Sequence, residues 1–326
     1  MRVGLTFDLR NPKQWFRPWD QVYSQALDAI TEAEHLGADS IWTTEHHFFE
    51  DGYLPQPLTF CAAGAARTSR VRFGTAIMIA PLRAAAQIAE ESAVVDLISG
   101  GRLDLGLGPG YRVPEFEAFG ADARSRFSAT FDLTREVRRL LDSGTVTPPP
   151  VQSPLPIWLG YRQAAGAYRT GLMGEGLLRM DARLLGPYLD GLAAGGHDPA
   201  TARMAGSLGL VVADDPDAAW PRVRPHLSYM WDSYHAYSIE GTGRPPPGPI
   251  DPERWRQSVK GQLPRFQVLT PEDAVNFVRT AVGDLPVADL SVWASIAGMD
   301  EAIAVRHRHL WLTEVRPRIC DLGLKA

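Results

Sequence analysis

Eight short apolar runs recur along the chain, each followed by a longer stretch with helical spacing. The runs are Val3–Asp8, Ser40–Thr44, Val71–Ala80, Arg102–Leu107, Ile157–Leu159, Leu177–Met180, Leu208–Ala213 and Asp289–Ile296. Helical patterns cover Tyr23–Leu36, Leu58–Ala66, Ala84–Ile98, Pro114–Leu141, Ala164–Met173, a segment from Leu184, and Asp300–Ile319. One more helix starts at Thr270-Pro271-Glu272-Asp273, with threonine as N-cap and proline in the first turn. Val71–Ala80 is apolar throughout except at Arg72 and Thr75, as in a parallel strand covered on both faces. Strand–helix alternation predicts a parallel α/β fold, and a count that closes at eight predicts a (β/α)8 TIM barrel. A doubly wound sheet also alternates, but usually carries a glycine-rich turn after its first strand. Here the first strand ends Asp8-Leu9-Arg10-Asn11-Pro12, without glycine. The expectation is one barrel domain over residues 1–326, with inserted loops after strands 4 and 7. The second insert, Pro216–Val268, reads as irregular; a loop that long inside a domain is functional or mobile.

Composition narrows the function classes. A net charge of −5 gives no electrostatic footprint for nucleic acid. The longest uncharged run, Ser143–Tyr161, carries prolines at 148, 149, 150, 154 and 156 and predicts no membrane span. Two cysteines, Cys61 and Cys320, make neither a disulfide framework nor a zinc site. They suit a reducing compartment, and the opening residues lack the apolar stretch of a signal peptide, so the expected location is cytoplasmic.

Barrel chemistry sits at the C-terminal ends of the strands. Two of those ends stand out. Glu45-His46-His47-Phe48 follows the second strand directly; a histidine there can exchange a proton near neutral pH, with Glu45 fixing its tautomer or pairing with a cation. Adjacent strand residues face opposite ways, so His46 and His47 would rarely share one metal ion. The bland reading of the pair is one core and one surface histidine. The fourth strand runs into the bend Gly106-Leu107-Gly108-Pro109-Gly110-Tyr111, where glycines let backbone approach a ligand. Gly160-Tyr161-Arg162-Gln163 sits between strand five and its helix, where free N–H groups and Arg162 suit a phosphate, or make an ordinary turn. Arg306-His307-Arg308-His309 reads as a solvated helix face, and Cys61 as core.

Together these segments resemble the bacterial luciferase-like family of flavin-dependent monooxygenases and oxidoreductases. The pieces that carry the likeness are 42–48 (WTTEHHF), 73–76 (FGTA), 97–106 (LISGGRLDLG), 115–120 (EFEAFG) and 269–273 (LTPED), in that order. The resemblance implies a barrel that binds reduced FMN, delivered by a separate flavin reductase, and oxidises a small-molecule substrate with molecular oxygen. It assigns proton transfer to His46, with Glu45 as its neighbour. Thr75, Ala76 and Ile77 match the strand-three bulge against the flavin ring, where a non-prolyl cis peptide is expected at Ala76–Ile77. Gly108, Gly110, Tyr111 and Arg126 match segments flanking the flavin and its phosphate; Gly160, Tyr161, Arg162 and Gln163 match the phosphate turn. It also implies a homodimer through helices two and three, which carry Ala62, Ala63, Ala65, Ala66 and Ala84–Ala86.

The chain departs from the pattern at several points. Many relatives have Gly-Gly-Ser-Ser where Gly160-Tyr161-Arg162-Gln163 stand, and His-Pro where Ala84-Ala85 stand. Luciferase itself has a cysteine at the place of Gly108 and an arginine at that of Pro109, so neither light emission nor an aldehyde substrate is implied. Two alternatives stay open: hydride transfer with a deazaflavin coenzyme, and a non-catalytic barrel acting as a subunit. Tyr229, Trp231, Tyr234 and Tyr237 are candidate pocket walls or one face of a packed helix, and 240–252 is a candidate lid.

Overall fold

The strands form one ring of parallel pairs. In the computed structural model, which describes residues 1–257 and 263–323, they are β1 (Arg2–Phe7), β2 (Ser40–Thr43), β3 (Arg72–Thr75), β4 (Met78–Ile79), β5 (Leu103–Gly108) and β6 (Ile157–Leu159). β7 (Gly176–Leu177), β8 (Met204–Leu208), β9 (Leu210–Val212), β10 (Gln267–Leu269) and β11 (Val287–Trp293) follow. The order β3-β2-β1-β11-β8-β7-β6-β5-β4, with β3 also paired to β5, closes the sheet. β3 and β4 are two halves of one barrel strand, so the ring has eight staves. They are separated at Ala76–Ile77, whose peptide is cis, as the resemblance implies. The fold is the expected (β/α)8 barrel.

Period-two alternation decides what fills it. Val3, Leu5 and Phe7 pack outward into the main core under the helices. Gly4, Thr6 and Asp8 therefore face the lumen, where the Thr6 and Ser291 hydroxyls meet at 2.8 Å. Lower down, Trp42 and Trp158 meet edge to face at 6.2 Å. Their indole N–H groups donate to Asp289 at 2.9 Å and Asp104 at 3.0 Å. Such bulk fits only because glycine stands opposite: a Cβ on Gly74 would lie 2.4 Å from Trp42, and one on Gly176 2.3 Å from Trp158. Arg2 and Arg72 pair with Asp104 and close this N-terminal end.

Helices α1 (Trp19–His35), α2 (Pro57–Ala65), α3 (Ala85–Ser99), α4 (Val113–Ala118), α5 (Arg126–Asp142), α6 (Ala164–Leu172) and α7 (Ala182–Ala194) lie along the first part of the chain. The single helical pattern expected over Pro114–Leu141 is thus two helices. α8 (Pro216–Ile239), α9 (Pro271–Val282) and α10 (Glu301–Leu310) complete the set. Thr270 caps α9 as expected, its hydroxyl accepting the Asp273 N–H at 3.2 Å.

Three expectations are corrected. First, Pro216–Val268 is not wholly irregular; α8 runs 24 residues through Pro221 and Pro225. Each proline removes a helical hydrogen bond. The burial of Trp220, Val223, His226, Leu227 and Met230 outweighs that loss, and Asp215 caps the start. Second, the run expected as strand seven is divided. β8 belongs to the barrel, while β9 pairs with β10 in a separate two-stranded sheet. Gly209 makes the break, where a Cβ would sit 2.2 Å from the Arg265 carbonyl. Third, Arg306–His309 is not all solvated. Arg306 is exposed and pairs with Asp214, but His307 and Arg308 are buried.

His307 Nδ1 accepts the Val212 N–H at 2.9 Å and its Nε2–H donates to the Trp293 carbonyl at 3.0 Å, so it pins β9 to the end of β11. Burial pushes its pKa down to about 4. The unfolded chain then binds a proton below about pH 6.5 that the folded chain refuses until about pH 4. Stability is full above that window and falls by up to about 3 kcal/mol as pH drops across it. Urea melts of His307→Gln between pH 7.5 and 4.5 should show lower stability at neutral pH and a shallower acid slope than the parent.

Candidate active site

Glu45, His46 and His47 leave β2 at the C-terminal end of the barrel, and all three are buried, so the core-plus-surface reading of the histidine pair fails. They divide between two carboxylates. The Glu115 carboxylate, fully buried in α4, accepts from His46 Nδ1 at 2.9 Å and from the His47 backbone N–H at 2.8 Å. An acceptor at Nδ1 fixes the His46 proton there and leaves a lone pair on Nε2. Glu45 does not hold His46. Its carboxylate accepts from His47 Nε2 at 2.5 Å, from Arg83 at 2.6 Å and from the Ile79 N–H at 2.8 Å. Glu45 therefore ties the end of β2 to β4, and the two histidines, just beyond β2, point to different partners.

Around His46 the site is aromatic. Phe49 stacks on its ring at 4.5 Å, and Tyr53 and Tyr111 present edges at 4.8 Å. Tyr234, from α8, stands at 6.1 Å. Tyr53 and Tyr234 share a hydrogen bond of 2.8 Å, and the buried Tyr111 hydroxyl has no protein partner. Arg10 threads into the same cluster. Its Nε donates to Asp51 at 2.6 Å, an Nη donates to the Ser233 hydroxyl, and the rings of Phe49, Tyr53, Tyr229 and Tyr234 wall it. Arg112 donates to the His47 carbonyl at 2.8 Å and pairs with Glu240 at 2.7 Å, fastening the start of the 240–252 segment over this end.

Beside it lies a glycine floor. A Cβ on Gly108 would come 2.7 Å from the Ile77 side chain, and one on Gly160 2.5 Å. Ile77 thus fills space that two glycines leave free, next to the Ala76–Ile77 break. Thr75 Oγ1 donates to the Gly106 carbonyl at 2.6 Å and holds the strand at that break. Gly110, with a φ of 62°, turns the chain so that Tyr111 reaches His46. Tyr161 is buried under α6 with its hydroxyl donating to the Phe127 carbonyl at 3.1 Å, while Arg162 and Gln163 stand exposed at the start of α6. Arg126 donates to the Ala123 carbonyl at 2.7 Å and lies over Phe127. Arg179, just beyond β7, is half-buried with no carboxylate partner among the described residues; burial and the Arg162 charge hold its pKa below the ordinary value. Cys61 is core as expected: burial raises its thiol to about 12.

The family model for luciferase-like monooxygenases matches residues 3–284. The chain belongs to the luciferase-like monooxygenase family. Among its relatives is the oxygenase component of flavin-dependent trigonelline monooxygenase from Acinetobacter baylyi, 31% identical over 44% of each chain. An F420-dependent glucose-6-phosphate dehydrogenase from Kineococcus radiotolerans is 29% identical over 60% of this chain and 66% of its own. The match spans less than half the length of the first curated relatives, 37% and 44%. The fold matches the oxygenating constituent of 3,6-diketocamphane monooxygenase from Pseudomonas putida, solved with FMN, over the whole of both chains at a TM-score of 0.77 and 19% identity. An F420-dependent secondary alcohol dehydrogenase matches at 0.70 and 16% identity over 98% of each chain. Among the described residues of this luciferase-like protein, no helix is long and apolar enough to cross a membrane.

Sequence reasoning singled out His46, Glu45 and the glycines but gave no role to Glu115 or to the Arg10–Asp51 cluster. Glu115 lay within a segment that carries the family likeness; Asp51 and Tyr53 follow the Glu-His-His segment closely. Arg83 carries a testable load, since its side chain and the Glu45 carboxylate are 5% and 0% exposed. Arg83→Leu should cost up to about 3–5 kcal/mol by taking the guanidinium from that carboxylate, which keeps only His47 and the Ile79 N–H, read as a lowered unfolding midpoint in denaturant.

Proposed function

We propose that this protein is an FMN-dependent monooxygenase that receives reduced flavin from a separate reductase and oxidises a small organic substrate with molecular oxygen. The carrying observation is the His46–Glu115 pair beside the glycine floor at Ile77. A buried carboxylate on Nδ1 keeps Nε2 available to accept or return a proton, and the stacked Phe49 ring fixes its plane. The residues fit a flavin. Gly108 and Gly160 leave the Ile77 side chain room to form a flat apolar support, and Tyr111 offers an unused hydroxyl. Arg162 and Gln163, exposed at the start of α6, would meet the phosphate, with Arg179 behind them. Reduced FMN, when bound, supplies the electrons that activate oxygen. Substrate exclusion from water falls to α8 and to the 240–252 lid, held by the Arg112–Glu240 pair. A homodimer belongs to the same reading; exposed Val94, Leu97 and Ile98 give α3 an apolar face for a second copy.

Titration with reduced FMN under nitrogen tests the cofactor. Binding of reduced FMN with oxygen-dependent turnover supports the monooxygenase; preference for the reduced deazaflavin, without need of oxygen, replaces it with the hydride-transfer reading. Arg162→Ala should weaken reduced FMN by about 10–150-fold, a charge-assisted bond to phosphate being worth roughly 1.5–3 kcal/mol, while leaving reduced riboflavin unchanged. His46→Ala should lower turnover by about 10²–10⁴-fold with saturating reduced flavin. Near-normal turnover of the folded variant would remove His46 from proton transfer.

A further inference from the structure

Asp8 carries a buried acceptor that the fold does not use. It follows β1 in the lumen-facing register of Gly4 and Thr6 and is 5% exposed. Its Oδ1 accepts the Arg10 N–H at 3.2 Å, and Oδ2 has no protein partner. The cationic neighbour does not fill the gap, because the Arg10 side chain is committed to Asp51, Ser233 and the Met230 carbonyl. The Tyr53 and Tyr234 hydroxyls bond each other. Asp51 Oδ1 and Glu115 Oε2 are also unpartnered, but each of those carboxylates holds a side chain through its other oxygen, whereas Asp8 holds only a backbone N–H, so Asp8 is the carboxylate here with capacity for a ligand.

We propose that Asp8 is a substrate-binding residue, and that the substrate presents a hydrogen-bond donor, a hydroxyl or an amine, to its Oδ2. This rests on reading the His46 end of the barrel as the reactive end. The Asp8 carbonyl accepts the Leu54 N–H at 2.9 Å and the Leu54 carbonyl accepts the His46 N–H at 3.2 Å, so a group bonded to Asp8 lies on the His46 side of the barrel end, where Tyr53 and Tyr234 edge the His46 ring. A bare hydrocarbon would leave Asp8 unpaired, which is how such a site rejects it.

Protonation adds a signature. Burial raises the Asp8 carboxyl to about 7, against the lowering effect of Arg10. The other charged or titratable groups around it are Asp51, Tyr53 and Tyr234. On the α1 and α10 side, Arg17, Glu301 and Arg308 share with Asp8 a cavity of about 60 Å³. A donor favours the ionised carboxylate, so binding should tighten as pH rises through 7 and release a proton.

The test uses the purified chain without flavin and three matched probe pairs, followed by ligand-detected NMR. They are cyclohexanol with methoxycyclohexane, benzyl alcohol with benzyl methyl ether, and benzylamine with benzyltrimethylammonium. The donor-bearing member of at least one pair should bind more tightly, its affinity rising about tenfold from pH 6 to pH 8 as the ionised fraction grows. In Asp8→Asn, with fold checked by circular dichroism, that pH dependence should vanish; in Asp8→Ala the donor preference should go as well. A parent protein with no donor preference in any pair overturns the proposal and leaves Oδ2 to water in the small cavity. So does a pH dependence that survives Asp8→Asn. Failure of reduced FMN to bind, with the donor preference intact, would defeat the flavin reading and leave Asp8 in its role.

Discussion

Closing eight strands leaves a lumen that side chains must fill, and here the filling is unequal from end to end. At the N-terminal end Trp42 and Trp158 take up the volume, anchored by Asp289 and Asp104, with glycine opposite each ring. That end is a plug. Toward the C-terminal end the lumen residues shrink to Gly106, Gly108 and Gly160, or turn polar as Thr6 and Asp8. The space withheld from bulk at one end is what makes a site available at the other, and the outward-facing halves of the same strands keep the barrel stable meanwhile.

The polar groups gathered there are held by buried carboxylates acting in separate circuits. Glu45 locks His47, Arg83 and β4; Glu115 locks His46; Asp51 locks Arg10. Each carboxylate is desolvated and costs free energy unless its partners stay in place. Geometry at His46 is therefore enforced by the cost of breaking its neighbours' pairs, a stronger restraint than any single hydrogen bond provides.

Much of this was legible in the residues. The alternation of apolar runs gave the barrel because period two and period 3.6 differ over even short windows. Glu45-His46-His47 was visible because three polar residues directly after an apolar strand need a reason. What escaped notice did so for physical causes. α8 looked irregular since Pro221 and Pro225 argue against a helix locally, and only tertiary burial of its Trp220–Met230 face reverses the balance. Glu115 is 69 residues from its histidine, and no spacing rule reaches across that distance. His307 looked like part of a charged face because its neighbour Arg306 is one; a single step around α10 separates solvent from core.

The segment between β8 and β11 contributes to a second hydrophobic cluster. Val211, Trp220, Val223, Leu227, Met230, Phe266 and Val268 pack together with Ile296, Ala297, Met299 and Ala304, while the alternate β9 residues Leu210 and Val212 join the main core. Tyr234, which faces His46 and Arg10, and Tyr229, which faces Arg10, are carried on α8. One wall of the aromatic cluster is thus carried on α8, while His46 is carried just beyond the end of β2. Substitutions on the inner face of α8 can therefore reshape that wall without touching the strand end that carries His46.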